Sequence, residues 1–166
     1  MSRSKKLIIT ALFLIGACIL LYPAVSNKLA ERHQAEMISR YEQTVEELPK
    51  TDMKSEWEKA VKYNESVTGM SVEDPFILGS GSVLPGNYKD VLNVEEKEGV
   101  MGYIEIPAID VMLPIYHGVS ERVLRRGVGH METTALPIGG KGTHSVLASH
   151  RGLSTAKLFT DLDRMK

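Results

Sequence analysis

The 166-residue sequence has a single cysteine, Cys18, and it lies in an apolar run near the N-terminus. One cysteine excludes an internal disulfide, and its position leaves the remainder of the chain without a thiol nucleophile. Neither sign of charge is in excess: the formal net charge is -1, so nothing points to a nucleic-acid partner. There is no internal repeat, no His-Glu-x-x-His and no cysteine pair. His117, His130, His144 and His150 therefore fit no compact zinc pattern, and neither a metal nor a cofactor is expected. Gly139-Gly140-Lys141-Gly142-Thr143 falls short of a phosphate-binding loop, because glycine follows Lys141 and Ala135 stands where the upstream glycine is required. The Gly-x-Ser-x-Gly elbow of hydrolases is also missing, and Ser149 and His150, adjacent on a strand, would point to opposite faces.

What is present is an ordinary globular balance, 43% hydrophobic and 25% charged, with room for one domain of ~100–150 residues. Leu7 to Val25 carries no charge and would span about 28 Å as a helix, against a hydrocarbon core of ~30 Å. Arg3, Lys5 and Lys6 precede it, so the positive-inside rule keeps the N-terminus in the cytoplasm and exports everything after Ser26, with Lys28 and Arg32 opposing weakly. Residues 1–26 thus read as a cytoplasmic tip and a transmembrane signal anchor, giving a single N-terminal span in the cell membrane, in contact with lipid. Ala24-Val25-Ser26 loosely matches a cleavage site, so a cleaved signal peptide stays open as the rival. Ile15-Gly16-Ala17-Cys18 is a poor lipoprotein box, since the apolar run continues through Leu21.

Residues 27–68 read as a helical stalk or packing segment made of two amphipathic helices. Ala30, His33, Met37, Tyr41, Val45 and Leu48 recur at helical spacing until Pro49, and His33, on that stripe, reads as packed and not metal-bound. Thr51 or Asp52 can cap a second helix with Met53, Trp57, Ala60 and Val61 on its apolar face. Residues 69–95 then form a loop rich in Gly, Pro and Ser, far longer than the ~4–6 residues of ordinary connections.

The domain proper begins near Val100. Tyr103 to Ile106 alternates as a strand, Pro107 to Asp110 turns, and Val111 to Tyr116 is a second strand in which Pro114 argues for an edge or a bulge. Ser120 can cap a short helix that Gly127 ends. Val146, Leu147 and Ala148 alternate as a half-buried strand that delivers His150 to its C-terminal end, just before Arg151 and a Gly152 turn. A rigid element facing loops is where a catalytic imidazole is often placed, and a surface histidine at a strand end is the plain alternative. Short strands between Gly/Pro turns argue a mainly β fold, a barrel or sandwich with small helices.

Gly102-Tyr103-Ile104-Glu105-Ile106-Pro107, Leu113-Pro114-Ile115-Tyr116-His117-Gly118, Gly127-Val128-Gly129-His130, Leu136-Pro137-Ile138-Gly139-Gly140, His150-Arg151-Gly152 and Lys157-Leu158-Phe159-Thr160-Asp161-Leu162 follow one another in a familiar order. From Gly102 to Lys166 the chain resembles a sortase, and Asp74-Pro75-Phe76 upstream resembles the lid signature of the class C, pilin-polymerising branch. The resemblance implies the N-terminal part of a sortase β-barrel over residues 96–166, preceded by the transmembrane helix and the two amphipathic helices. It implies a cysteine transpeptidase of the Gram-positive cell wall, which cleaves the Thr-Gly bond of a sorting motif through a thioester. In class C a lysine amine of another secreted pilin resolves that thioester, and pilus subunits are joined. His150 matches the family's catalytic histidine. Asp74, Pro75 and Phe76 match the lid, with Asp74 toward the family's arginine and Phe76 over its cysteine. Arg151 shares the histidine's motif and has a structural or electrostatic role.

The family's cysteine and arginine come from strands downstream of this histidine, and neither has a counterpart before Lys166. The expectation is therefore a truncated sortase, inactive as it stands, with Leu158, Phe159, Leu162 and Met165 forming an apolar face short of cover. Two other readings are a non-catalytic membrane-anchored protein that binds pilins or another sortase, and a housekeeping sortase attaching proteins to peptidoglycan. The apparent lid disfavours the last.

Overall fold

The computed structural model describes residues 3–69, 86–94 and 99–165. Helix α1 (Arg3–Glu47) runs without interruption through the apolar segment and onward into the stalk, with Pro23 inside it. It is long and apolar enough to cross a membrane once, and its apolar window is entirely unburied by the rest of the chain. The break expected at Pro49 is present: α1 ends at Glu47, and Pro49 precedes α2 (Lys50–Val67). Proline fits there because its missing N–H is one that no helix start can satisfy internally.

The sheet follows. Strands β1 (Val100–Ile106) and β2 (Val111–His117) form an antiparallel hairpin, pairing Ile104 with Leu113 and Ile106 with Val111. A four-residue helix, α3 (Glu121–Leu124), carries the chain to β3 (Val128–His130), which lies parallel to β2. The two-residue β4 (Leu147–Ala148) closes the order β1-β2-β3-β4, antiparallel to β3.

A mainly β fold, the N-terminal part of a barrel, is not what forms. The chain is mainly helical and its sheet is open. Helices α1 and α2 take 45 and 18 residues, whereas the strands take 7, 7, 3 and 2. The Gly/Pro punctuation that suggested many strands instead produces turns between β3 and β4. Thr134 helps fix them: its hydroxyl donates to the Met131 carbonyl at 2.8 Å and accepts from the Val146 amide at 3.1 Å. Backbone groups satisfied by a hydroxyl need no strand partner. Pro114 keeps a local edge position although β2 as a whole pairs on both sides. Its pairing with β3 spans only Ile115 to His117, so proline stands just outside the section where a second neighbour needs its amide.

The core gathers Val111, Leu113 and Ile115 of β2, Val128 of β3, and Ala60, Tyr63 and Val67 of α2, with Leu136, Leu158 and Phe159 from the later loops. The buried face of α2 is rotated from the expected stripe: Met53, Trp57 and Val61 are exposed, while Ala60, Tyr63, Asn64 and Val67 are buried. Asn64 explains the rotation. Its amide donates to the Leu136 carbonyl at 3.2 Å and accepts from the Leu136 amide at 2.7 Å, docking a side chain as a strand would dock. On α1, Gln34, Met37 and Ile38 are buried, and His33, expected to be packed, is exposed beside Arg126. Gln34 is the polar residue that goes inside because the Arg126 carbonyl accepts from its amide at 3.2 Å. Tyr41 meets Tyr103 of β1 edge to face, centroids 6.5 Å apart, fixing the far end of α1 on the hairpin.

The expected uncovered face of residues 158–165 is half correct: Leu158 and Phe159 are buried, and Leu162 and Met165 are exposed. Leu158 adopts φ 41°, a left-handed conformation that a leucine accepts only when packing over-determines it.

The glycines around β3 are set by close approach. A Cβ on Gly127 would stand 2.6 Å from the Pro114 carbonyl oxygen, and one on Gly129 would run into the Gly118 carbonyl and press on Val123 and Leu124. Gly129→Ala is expected to lower the stability of the full chain by about 1–3 kcal/mol, read as a lower denaturant midpoint. An unchanged midpoint would contradict this packing.

Candidate functional site

His150 follows β4 by two residues and is held from both sides. The Ser149 hydroxyl donates to the Gly127 carbonyl at 2.7 Å, tying the strand end to the segment after α3. The Phe159 amide donates to the His150 carbonyl at 3.1 Å, and the Gly152 amide donates to the Thr160 hydroxyl at 3.1 Å. Gly152 takes φ 77°, which lets the chain turn away immediately after Arg151. The His150 side chain is therefore fixed in place yet keeps 29% of its surface exposed.

Its Nε2 lies 3.2 Å from Oε2 of Glu121, the first residue of α3. The other oxygen of that carboxylate accepts from Nε of Arg125 at 2.7 Å. Loss of hydration pushes the Glu121 carboxyl up, but the Arg125 hydrogen bond and the charges of His150 and Arg125 outweigh it and hold the group below its usual range. The pair is exposed, so it adds little to stability; its effect is on where the imidazole points. Arg151 turns the other way and pairs with Asp163 at 2.7 Å, both side chains exposed.

Of the remaining histidines, His130 and His117 are tied into the fold by their rings. His130 is fully buried in β3: its Nδ1 lies 3.0 Å from the Tyr88 hydroxyl, and its Nε2–H donates to the Ala135 carbonyl at 2.9 Å. The Tyr88 ring stacks on it at 5.8 Å, and the same hydroxyl accepts from the Gly118 amide at 3.0 Å. Burial pushes His130 down to about 4, with the Ala135 carbonyl opposing and His117 adding to the fall. Burial likewise pushes the Tyr88 phenol well above its ordinary value, and Tyr63, whose hydroxyl donates to the Glu132 carbonyl, up to about 12. Both phenols stay neutral donors. His117 sits between the Val91 and Gly99 carbonyls at 2.8 and 3.3 Å, and His144 gives its carbonyl to the Ala135 amide. Among the described residues no three His, Cys, Asp or Glu side chains gather to hold a metal.

The structure thus brings His150 to a ready, half-open position. Asp74, Pro75 and Phe76 lie outside the described residues. Cys18, the one cysteine, is exposed within α1 in the apolar segment and far in sequence from His150. Sequence reasoning missed Glu121. Its one signal was an acidic residue in the first turn after the Ser120 cap, which a short helix explains without His150.

Comparison with known proteins shows what the chain is similar to. The Sortase domain family matches residues 104–166. Sortase A of Listeria monocytogenes serovar 1/2a is 27% identical over 164 residues, covering 98% of this chain and 64% of that protein. Sortase C1 of Streptococcus agalactiae is 39% identical with a TM-score of 0.64, covering 75% of this chain and 62% of that one. Sortase C of Streptococcus pneumoniae is 39% identical with a TM-score of 0.67, covering 79% and 63%. The chain is homologous to class C sortases, and it spans a little under two thirds of the length of these relatives.

The buried His130 makes a pH dependence of stability. Below about 6.5 the unfolded chain takes up a proton at this residue, while the folded ring stays neutral to about 4. Stability is therefore fully present above 6.5 and is lost as pH falls through that window, by on the order of 3 kcal/mol. Denaturant unfolding of the full chain across this range checks it. His130→Gln should flatten that part of the slope, and an identical slope in the variant would contradict the assignment.

Proposed function

We propose that this chain is the membrane-anchored, histidine-bearing part of a class C sortase, a cysteine transpeptidase that joins secreted pilin subunits through a lysine amine. The observation that carries the reading is the 35–39% identity to streptococcal class C enzymes over 75–80% of the chain. His150, fixed at a strand end with its ring half open, supplies the chemistry that such an enzyme needs from this region.

In this reading a thiolate attacks the sorting-motif carbonyl and His150, as imidazolium, protonates the leaving amine. The neutral ring then accepts a proton from the attacking lysine amine when the thioester is resolved. In this reading the reactive thiol is not one that residues 27–166 carry, since Cys18 is the one cysteine and lies in α1, and an arginine stabilises the oxyanion. Residues 1–26 anchor the chain with its N-terminus in the cytoplasm, and the rest works outside the cell. Residues 69–95 form the lid, with Asp74, Pro75 and Phe76 covering the reactive cysteine. A lid mutant is known for the Streptococcus agalactiae relative, which supports a lid in this branch. The housekeeping reading is weaker: the Sortase A relative is 27% identical, the class C relatives up to 39%. A second reading rests on the position of Cys18: a chain with no thiol near His150 would bind pilins or another sortase without cleaving them.

Two outcomes follow for the protein extracted from its native membranes. His150→Ala should lower pilin joining by about 100-fold or more, measured as covalent polymer, with sorting-motif binding retained. Unchanged polymer would defeat the enzyme reading. Asp74→Ala with Phe76→Ala should speed alkylation of the reactive thiol by a small maleimide. Equal alkylation with and without the pair would remove the lid.

A further inference from the structure

We propose that Glu121 is the positioning residue for the His150 imidazole, holding the proton on Nε2 and leaving Nδ1 as the basic nitrogen of the ring. The inference rests on His150 being the reactive imidazole and says what sets its orientation. Two independent contacts join the α3 region to the His150 segment: Ser149 to the Gly127 carbonyl at 2.7 Å and His150 Nε2 to Glu121 Oε2 at 3.2 Å. The first fixes the backbone and the second fixes the ring.

The carboxylate is itself held. Oε1 is taken by Arg125 Nε at 2.7 Å, and the Ser120 cap, accepting from the Val123 amide at 3.4 Å, sets the helix start that Glu121 occupies. A carboxylate with one oxygen on a guanidinium and the other on an imidazole cannot rotate freely, so the ring it holds cannot either. A neutral imidazole has one N–H, and the nitrogen beside a carboxylate keeps it. When Nδ1 takes a proton the ring becomes a cation, and Glu121 is the charge that stabilises it without accepting the proton, the part a carboxylate plays in a hydrolase triad. The rival is an exposed helix pair, Glu121 with Arg125, that meets His150 incidentally.

Ring ¹⁵N shifts of the full chain labelled at histidine separate the two, read in alkaline buffer where the imidazoles are neutral. The wild type should show the Nε2–H form alone, Glu121→Ala should show both tautomers, and Glu121→Gln, whose amide oxygen can still accept, should restore the single form. Arg125→Ala, which loosens the carboxylate but leaves it beside the ring, should weaken the preference without abolishing it. Indistinguishable shifts in Glu121→Ala and wild type would overturn the proposal. So would equal loss in Arg125→Ala, which would make the helix, not the carboxylate, the cause. The readout needs no substrate and no thiol, so its failure is separate from that of the transpeptidase reading, which falls only if His150→Ala leaves pilin joining intact.

Discussion

The buried contact between His130 and Tyr88 is the constraint on which the rest of the fold after α1 depends. One imidazole in β3 and one phenol beyond the residue 69–86 connection meet where the Gly118 amide and the Ala135 carbonyl also converge. A ring buried this completely is tolerable because each nitrogen has a partner, and leaving either one unpaired would cost about 1–3 kcal/mol. The contact joins the start of the α3 crossover, the exit of β3 and the segment that precedes β1. Tyr63 extends it to α2, its ring 5.7 Å from that of Tyr88. Four stretches distant in sequence thereby share one polar junction inside an otherwise apolar core.

The site stands on this junction. With β3 fixed, its antiparallel pairing with β4 sets where residue 148 ends, and Ser149 and Phe159 then fix residue 150. One histidine is sealed and the reactive candidate is open: His130 is at 0% exposure and the His150 side chain at 29%. The same residue type is thus sorted by environment, one ring held neutral by burial and the other placed beside a carboxylate that can support its charge.

Much of this was legible in the sequence where the governing interaction is local. Pro49 marked the helix break, Ser120 marked α3, and alternation around Leu147 placed His150 at a strand end. What was not legible depends on partners far along the chain. Asn64 faces Leu136 across 72 positions and turns α2 so that Trp57 stays outside; a helical stripe of apolar residues holds no hint of that. Gln34 goes inside and His33 outside because a backbone carbonyl at Arg126 is waiting for one of them. The barrel expectation failed for a similar reason. Gly and Pro mark turns, but whether a strand lies between two turns depends on a neighbour to pair with, and Thr134 satisfied those backbone groups instead. Glu121 escaped notice because its tie to His150 crosses 29 residues.

In the proposed reading His150 serves a cysteine transpeptidase whose thiol is not Cys18. The most direct measurement is intact-protein and peptide mass spectrometry of the native membrane-extracted protein after incubation with a sorting-motif peptide. The account predicts a covalent adduct carrying the acyl part of the peptide, released by hydroxylamine as a thioester is, and mapped to a cysteine other than Cys18. No adduct, or an adduct confined to Cys18, would contradict it.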